Sequence, residues 1–210
     1  MLEKVTVSIN SRVLPDPPPG CSNFTKFFNY MPSLQELDLR GSVLEYLILG
    51  GLPKSPPTAL NNVKSLSISS ISFRNVEEVT CAVYLIKSCR KLEQLTIECE
   101  SVDNIVEPVV QFLQAQSSSY GALKLQRVHM NMFIGVEMEM EFVKFILASA
   151  PILEEIFIWN FAYLLPRPGA QIMDEIKQFS RASPNVEEVE VEDCVRIEAL
   201  EAMEVRDFDY

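Results

Sequence analysis

Histidine occurs once in this chain of 210 residues, at His129. A zinc site draws heavily on imidazole, so one histidine leaves little to build it from. Cysteine is scarce too: Cys21, Cys81, Cys89, Cys99 and Cys194 form no C-x-x-C pair. Odd in number and placed inside predicted elements, they read as core thiols in a reducing compartment. There is no glycine-rich phosphate loop, since Gly50-Gly51-Leu52-Pro53-Lys54 lacks the required spacing. A Ser/His/Asp set would have to run through His129, and nothing in the sequence positions one. The expectation is a protein that is not an enzyme, with no metal and no cofactor.

Positive charge is also in short supply. Lys and Arg number 18 against 29 Asp and Glu, giving a net charge of −11 and a pI near 4.6. Nucleic acid and anionic membranes call for a basic footprint, so neither is an expected partner. Much of the charge is local: Glu187 to Tyr210 holds ten acids and two arginines. Long apolar runs are missing. The first residues, MLEKVTVSIN, alternate Val5, Val7 and Ile9 like a strand rather than a secretory signal. Ile156 to Leu165 contains Asn160 and is too short to span a bilayer. The expected location is cytoplasmic or nuclear.

What is present is a repeat. The pattern L-x-x-L-x-L, apolar at positions 1, 4 and 6, is the strand signature of leucine-rich repeats. It occurs at Leu2/Val5/Val7, Leu34/Leu37/Leu39, Leu44/Leu47/Leu49, Val63/Leu66/Ile68, Leu92/Leu95/Ile97, Leu125/Val128/Met130, Leu153/Ile156/Ile158 and Val186/Val189/Val191. From Val63 onward the first positions are 29, 33, 28 and 33 residues apart, room for one helix per repeat. Leu44 follows Leu34 too closely for that, so no helix is expected there.

Helical periodicity fills the other gaps. Helices are expected over Asn23–Tyr30, Val76–Ser88, Asn104–Gln116, Val136–Ala150 and Ala170–Ala182, the last with Ile172, Ile176 and Phe179 inward. In the helix from Val136, an apolar stripe of Val136, Met140, Val143, Leu147 and Ala150 opposes Glu137, Glu141 and Lys144. Pro151 ends it. Val13–Cys21 and Gly50–Asn62 read as proline-rich loops and Ser117–Ala122 as a polar turn. Ile197, Leu200 and Met203 suggest a short capping helix in the tail.

Strands that repeat in one direction with helices between them make a parallel sheet with right-handed crossovers. The expected fold is α/β: a leucine-rich-repeat-like right-handed solenoid, or horseshoe, with its parallel sheet on the concave side and helices on the convex side. It forms a single domain over 1–210: leucine-rich repeats over 1–116, a second group of repeats over 117–195 and an acidic cap or tail over 196–210. Alternation places positions 3, 5 and 7 on the concave wall. Among these, Gln94, Thr96, Arg127, His129, Asn131, Glu155, Phe157 and Trp159 form the candidate partner-binding surface. Most wall positions are polar, so the aromatic pair Phe157 and Trp159 is the informative exception, since interface hot spots are enriched in aromatics. The alternative for Trp159 is packing over Phe161 or Tyr163. At position 9, Ile71, Phe133 and Phe161 are expected to plug the core. The acids Glu187 to Asp193 read as a solvated terminal strand.

From Leu125 to Val191 the chain resembles the FBD region of plant F-box/leucine-rich-repeat proteins. The resemblance rests on Leu125-Gln126-Arg127-Val128-His129-Met130, on Gly135 and Glu139, on Phe142 to Leu147, on Ala150-Pro151-Ile152-Leu153-Glu154 and on Arg181-Ala182-Ser183-Pro184. Met31-Pro32-Ser33-Leu34-Gln35-Glu36-Leu37 looks like the leucine-rich portion of the same family. The resemblance implies the substrate-recognition part of an F-box-type subunit of a cullin-RING (SCF) ubiquitin ligase, holding a protein target on the concave face. An F-box is not expected in these residues, so a Skp-type adaptor is a partner only if an F-box lies upstream. The alternatives are an F-box-less remnant or competitor that binds targets without ubiquitination, and a receptor for a small, hormone-like molecule with Arg127 as its anchor.

Overall fold

The computed structural model describes residues 3–9, 22–29, 31, 33–100, 106–117, 122–160, 168–184 and 188–193, of which 117, 160 and 188–193 are described by backbone alone. Seven strands, β1 (Lys4–Ile9), β2 (Glu36–Gly41), β3 (Ser65–Ser72), β4 (Gln94–Glu100), β5 (Arg127–Asn131), β6 (Glu155–Asn160) and β7 (Glu188–Asp193), form one sheet in chain order. Every neighbouring pair is parallel. Between them lie α1 (Asn23–Phe28), α2 (Val43–Ile48), α3 (Val76–Ser88), α4 (Glu107–Ser117), α5 (Glu137–Ser149) and α6 (Gly169–Lys177). Consecutive helices pack against one another, so they form a single layer on the sheet.

The register aligns the repeat. Val5, Leu37, Leu66, Leu95, Val128, Ile156 and Val189 make one row across the sheet; Val7, Leu39, Ile68, Ile97, Met130, Ile158 and Val191 make another. From β2 to β6 the residues at positions 1, 4 and 6 are all 2% exposed or less. Each buried Leu, Ile or Val contributes about 1.5–3 kcal/mol, and no single coil could bury its own. The backbone repeats too. The amides at positions 2 and 3 of one coil both donate to the position-2 carbonyl of the coil before, as Gln35 and Glu36 do to Glu3 and Glu154 and Glu155 do to Gln126, at 2.8–3.1 Å.

Three expectations need correction. Leu44/Leu47/Leu49 is not a strand, and Tyr46, Ile48 and Gly50 are not wall positions. Residues 43–48 form α2, which buries Val43, Leu44 and Leu47. The i, i+3 step in L-x-x-L is shared by helix and repeat strand, and Gly41, at φ +63°, ends β2 just before it. Glu141 does not face solvent. It is buried, because α5 lies between α4 and α6 and is covered well beyond a single stripe. Phe179, expected inward within its helix, lies past the end of α6 and is half-buried. The loop after Gly50 closes in a 3-10 turn, Thr58–Asn62, that buries Ala59 and Leu60. The expectations for Leu2, Cys21, Phe161, Tyr163, Val186, Cys194 and the tail after Val195 lie outside the described residues.

Past position 7 the chain changes its sense of alternation. Gly41, Ser70 and Met132 all stand at position 8, and all adopt left-handed backbone, with φ of +63°, +63° and +58°. A left-handed residue breaks the alternation of side chains. After Ser70 and Met132, position 9, which would otherwise face the same way as positions 3, 5 and 7, turns inward: Ile71 and Phe133 are fully buried, while Ser42 after Gly41 is half-buried. β4 lacks the device. There Cys99 at position 8 is buried and Glu100 at position 9 is exposed, as plain alternation requires. The mismatch appears as a bulge in which Ile71 of β3 pairs with Cys99 of β4.

Candidate functional site: the open face of the sheet

The sheet face opposite the helices is built by positions 3, 5 and 7. The structure brings all eight candidate residues onto this face, on three adjacent strands. Gln94, Arg127 and Glu155 share one row, Thr96, His129 and Phe157 the next, and Asn131 and Trp159 the third. Arg127, His129 and Gln94 are exposed, and Thr96, Asn131, Glu155 and Phe157 are half-buried. Trp159 is 42% exposed, among the most exposed large apolar side chains of the described residues.

The patch has internal structure. The His129 and Phe157 rings lie 5.8 Å apart at 60°. Glu155 reaches into the next row, with Oε1 3.9 Å from His129 Nε2, instead of pairing with Arg127 in its own row. Arg127 has no ion-pair partner among the described residues and presents its guanidinium to solvent. At the other end of the sheet the charges are spoken for: Lys4 pairs with Glu36 at 2.7 Å and Arg40 with Asp38 at 2.6 Å. Those exposed pairs are worth little to stability, but they engage both Lys4 and Arg40, the cations on β1 and β2.

Behind the patch, two glutamates anchor the loops that lead from strand to helix. Each is the third residue of its helix. Glu139 Oε2 accepts the backbone N–H of Ile134 at 2.9 Å and of Gly135 at 2.8 Å. Glu78 accepts from the N–H of Ser72 at 3.2 Å and from Asn75 Nδ2 at 3.0 Å, while Asn75 Oδ1 caps Glu77 N at 3.0 Å. Both reach back beyond the N-cap residue, Val136 or Asn75, to backbone N–H groups one to three residues before it, further than the glutamate of a capping box does. Burial pushes the Glu78 carboxyl above its ordinary value. Sequence reading missed these two as structural groups. The signal was a glutamate in the first turn of a helical stripe.

The three thiols among the described residues, Cys81, Cys89 and Cys99, are buried. Burial pushes Cys81 and Cys89 up to about 12 and raises Cys99 as well, with Glu139 beside Cys99 adding to the rise. A thiol held protonated is a poor nucleophile and a poor metal ligand. Among the described residues no cluster of His, Cys, Asp and Glu could hold a metal, and no helix is long and apolar enough to cross a membrane.

Comparison with known proteins places these coils. A family model described as FBD matches residues 123–158, which carry β5, α5 and most of β6. An F-box/FBD/LRR-repeat protein of Arabidopsis thaliana is 23% identical over 138 residues, 65% of this chain and 33% of the relative. The chain is therefore similar to plant F-box/FBD/LRR-repeat proteins, most directly over the residues of the FBD match. It spans about a third of the length of that relative. The FBD match encloses Gly135 and Glu139 as well as Arg127, His129, Asn131, Glu155 and Phe157, and it stops one residue short of Trp159. No solved structure matches the chain.

Proposed function

We propose that this F-box/FBD/LRR-type chain is a non-catalytic protein-binding scaffold whose open sheet face is the docking wall. The observation that carries the reading is Trp159. An indole 42% exposed beside a half-buried Phe157, on an otherwise polar face, is costly to leave in water and is repaid when a partner covers it. A one-directional sheet under a single helix layer supports a curved solenoid with this face concave, divided near residue 117 into leucine-rich and FBD-like coils. The family resemblance supports the finer role: substrate recognition within an F-box-type subunit of a cullin-RING ligase, in the cytoplasm or nucleus. In that role a Skp-type adaptor is engaged through an F-box, and the target through Gln94, Thr96, Arg127, His129, Asn131, Glu155, Phe157 and Trp159.

Proximity labelling in plant cells tests it, comparing wild type with Phe157→Ala/Trp159→Ala at matched expression. The double variant is expected to lose a defined subset of labelled proteins. Identical sets from both would remove the open face as the docking wall.

A further inference from the structure

The open-face reading leaves the chemistry of the partner unstated, and the charge pattern around Trp159 narrows it. We propose that the occupant is an extended, basic peptide segment with positive side chains at alternate positions, one of them seated on Trp159. The proposal rests on the docking reading above and adds the partner's chemistry to it.

Two independent features converge. The first is Trp159 itself, since an exposed indole is the side chain that best attracts a lysine or arginine over its face. The second is the register of the last two strands. Glu188, Glu190 and Glu192 of β7 occupy the rows of Glu155, Phe157 and Trp159. Alternate residues of a strand lie about 6.6 Å apart, and neighbouring strands about 4.8 Å apart. An extended peptide lying along β6 and β7 repeats its own side chains at that same spacing of about 6.6 Å, so cations at alternate positions match the acids row by row. Arg127 on β5 marks the limit: a basic segment that crossed it would meet a like charge. The chain's net charge of −11 favours approach of a cationic partner and opposes an acidic one.

Trp159 is the chain's single tryptophan, so its emission reports on this site alone. Two fluorescein-labelled synthetic peptides serve as probes on the full chain. One alternates lysine or arginine with threonine; the other carries glutamate at the basic positions. The basic peptide is expected to bind with a shift in Trp159 emission and to weaken as salt rises. Trp159→Ala and Glu190→Gln/Glu192→Gln should each weaken it by about tenfold, with melting curves unchanged. Glu198→Gln/Glu201→Gln in the acidic tail should change it by less than about twofold, which separates row matching from general attraction to the tail. Equal binding of the glutamate peptide with the same Trp159 shift overturns the basic-partner proposal and leaves the docking wall standing. Binding of the basic peptide without any shift, or no binding of it at all, overturns the proposal. The labelling comparison of Phe157→Ala/Trp159→Ala then decides the docking wall separately.

Discussion

Gly135 and Ile172 leave no room between them: a Cβ on Gly135 would stand 2.5 Å from Ile172 Cδ1. Gly135 also holds left-handed backbone at φ +74°, and Ile172 is fully buried in α6. This contact ties the loop after β5 to a helix more than thirty residues on. Gly135→Ala is therefore expected to cost about 2–4 kcal/mol, from backbone strain and overpacking together. Urea unfolding of Gly135→Ala with and without Ile172→Val checks it. The second change removes the offending methyl, so the pair should cost less than the sum of the singles. Strict additivity would mean that the collision is not what matters.

Glu139 gives a second prediction. Its Oε2 accepts two backbone N–H groups in a fully buried setting. Glu139→Ala strands both donors and should cost about 2–5 kcal/mol; Glu139→Gln keeps one neutral acceptor and should fall between. Chemical denaturation ranks the three proteins. A Glu139→Ala midpoint equal to wild type would contradict the anchoring role.

The third prediction sets neighbours against each other. Ile156 is 1% exposed and faces the helices, whereas Phe157 is half-buried on the open face. Ile156→Asp buries an unpaired charge and should leave no cooperative melt. Phe157→Ala should shift stability by less than about 1 kcal/mol while weakening partner capture. Circular dichroism melts distinguish them, and reversed behaviour would mean that the two faces have been interchanged.

The buried thiols make stability depend on alkaline pH. Cys81 and Cys89 hold their protons to about 12 when folded, against an ordinary value of 9.0. Above pH 9 the unfolded chain releases those protons and the folded chain does not. Stability fully present below pH 9 is therefore lost as pH rises toward 12, at about 1.4 kcal/mol per pH unit for each thiol. Urea midpoints of wild type and Cys89→Ala from pH 8 to 10.5 test this. The variant starts lower for lost packing and falls less steeply; parallel curves would exclude the linkage.

The two apolar rows were legible because each coil repeats one solution to one problem, a face that only its neighbours can hide. Every 4/6 pair read from the sequence lies in register across the seven strands, except Leu47/Leu49. That set misled because its first step is one turn of helix, and its neighbours Val43 and Leu44 settled the matter only by being buried. Glu141 misled for a different reason. Periodicity describes a helix with one covered side, and α5 is hemmed in by helices on both flanks. All eight candidate positions were legible because alternation holds through position 7. Beyond it the sequence is mute: nothing about Ser70 or Met132 announces a positive φ, and so nothing announced why Phe133 could turn inward.

That one dihedral has a reach beyond packing. In β3 and β5, where the left-handed residue is Ser70 or Met132, the ninth side chain, Ile71 or Phe133, goes to the interior; in β4, which lacks one, the same slot faces water and carries Glu100. A single backbone sign thus decides whether a bulky group is invested or displayed. Phe133 is tied to Trp159 by its amide, which donates to the Trp159 carbonyl at 3.3 Å. A related chain that lost the kink at Met132 would bring a second large ring out beside the indole, enlarging its aromatic surface without adding a residue.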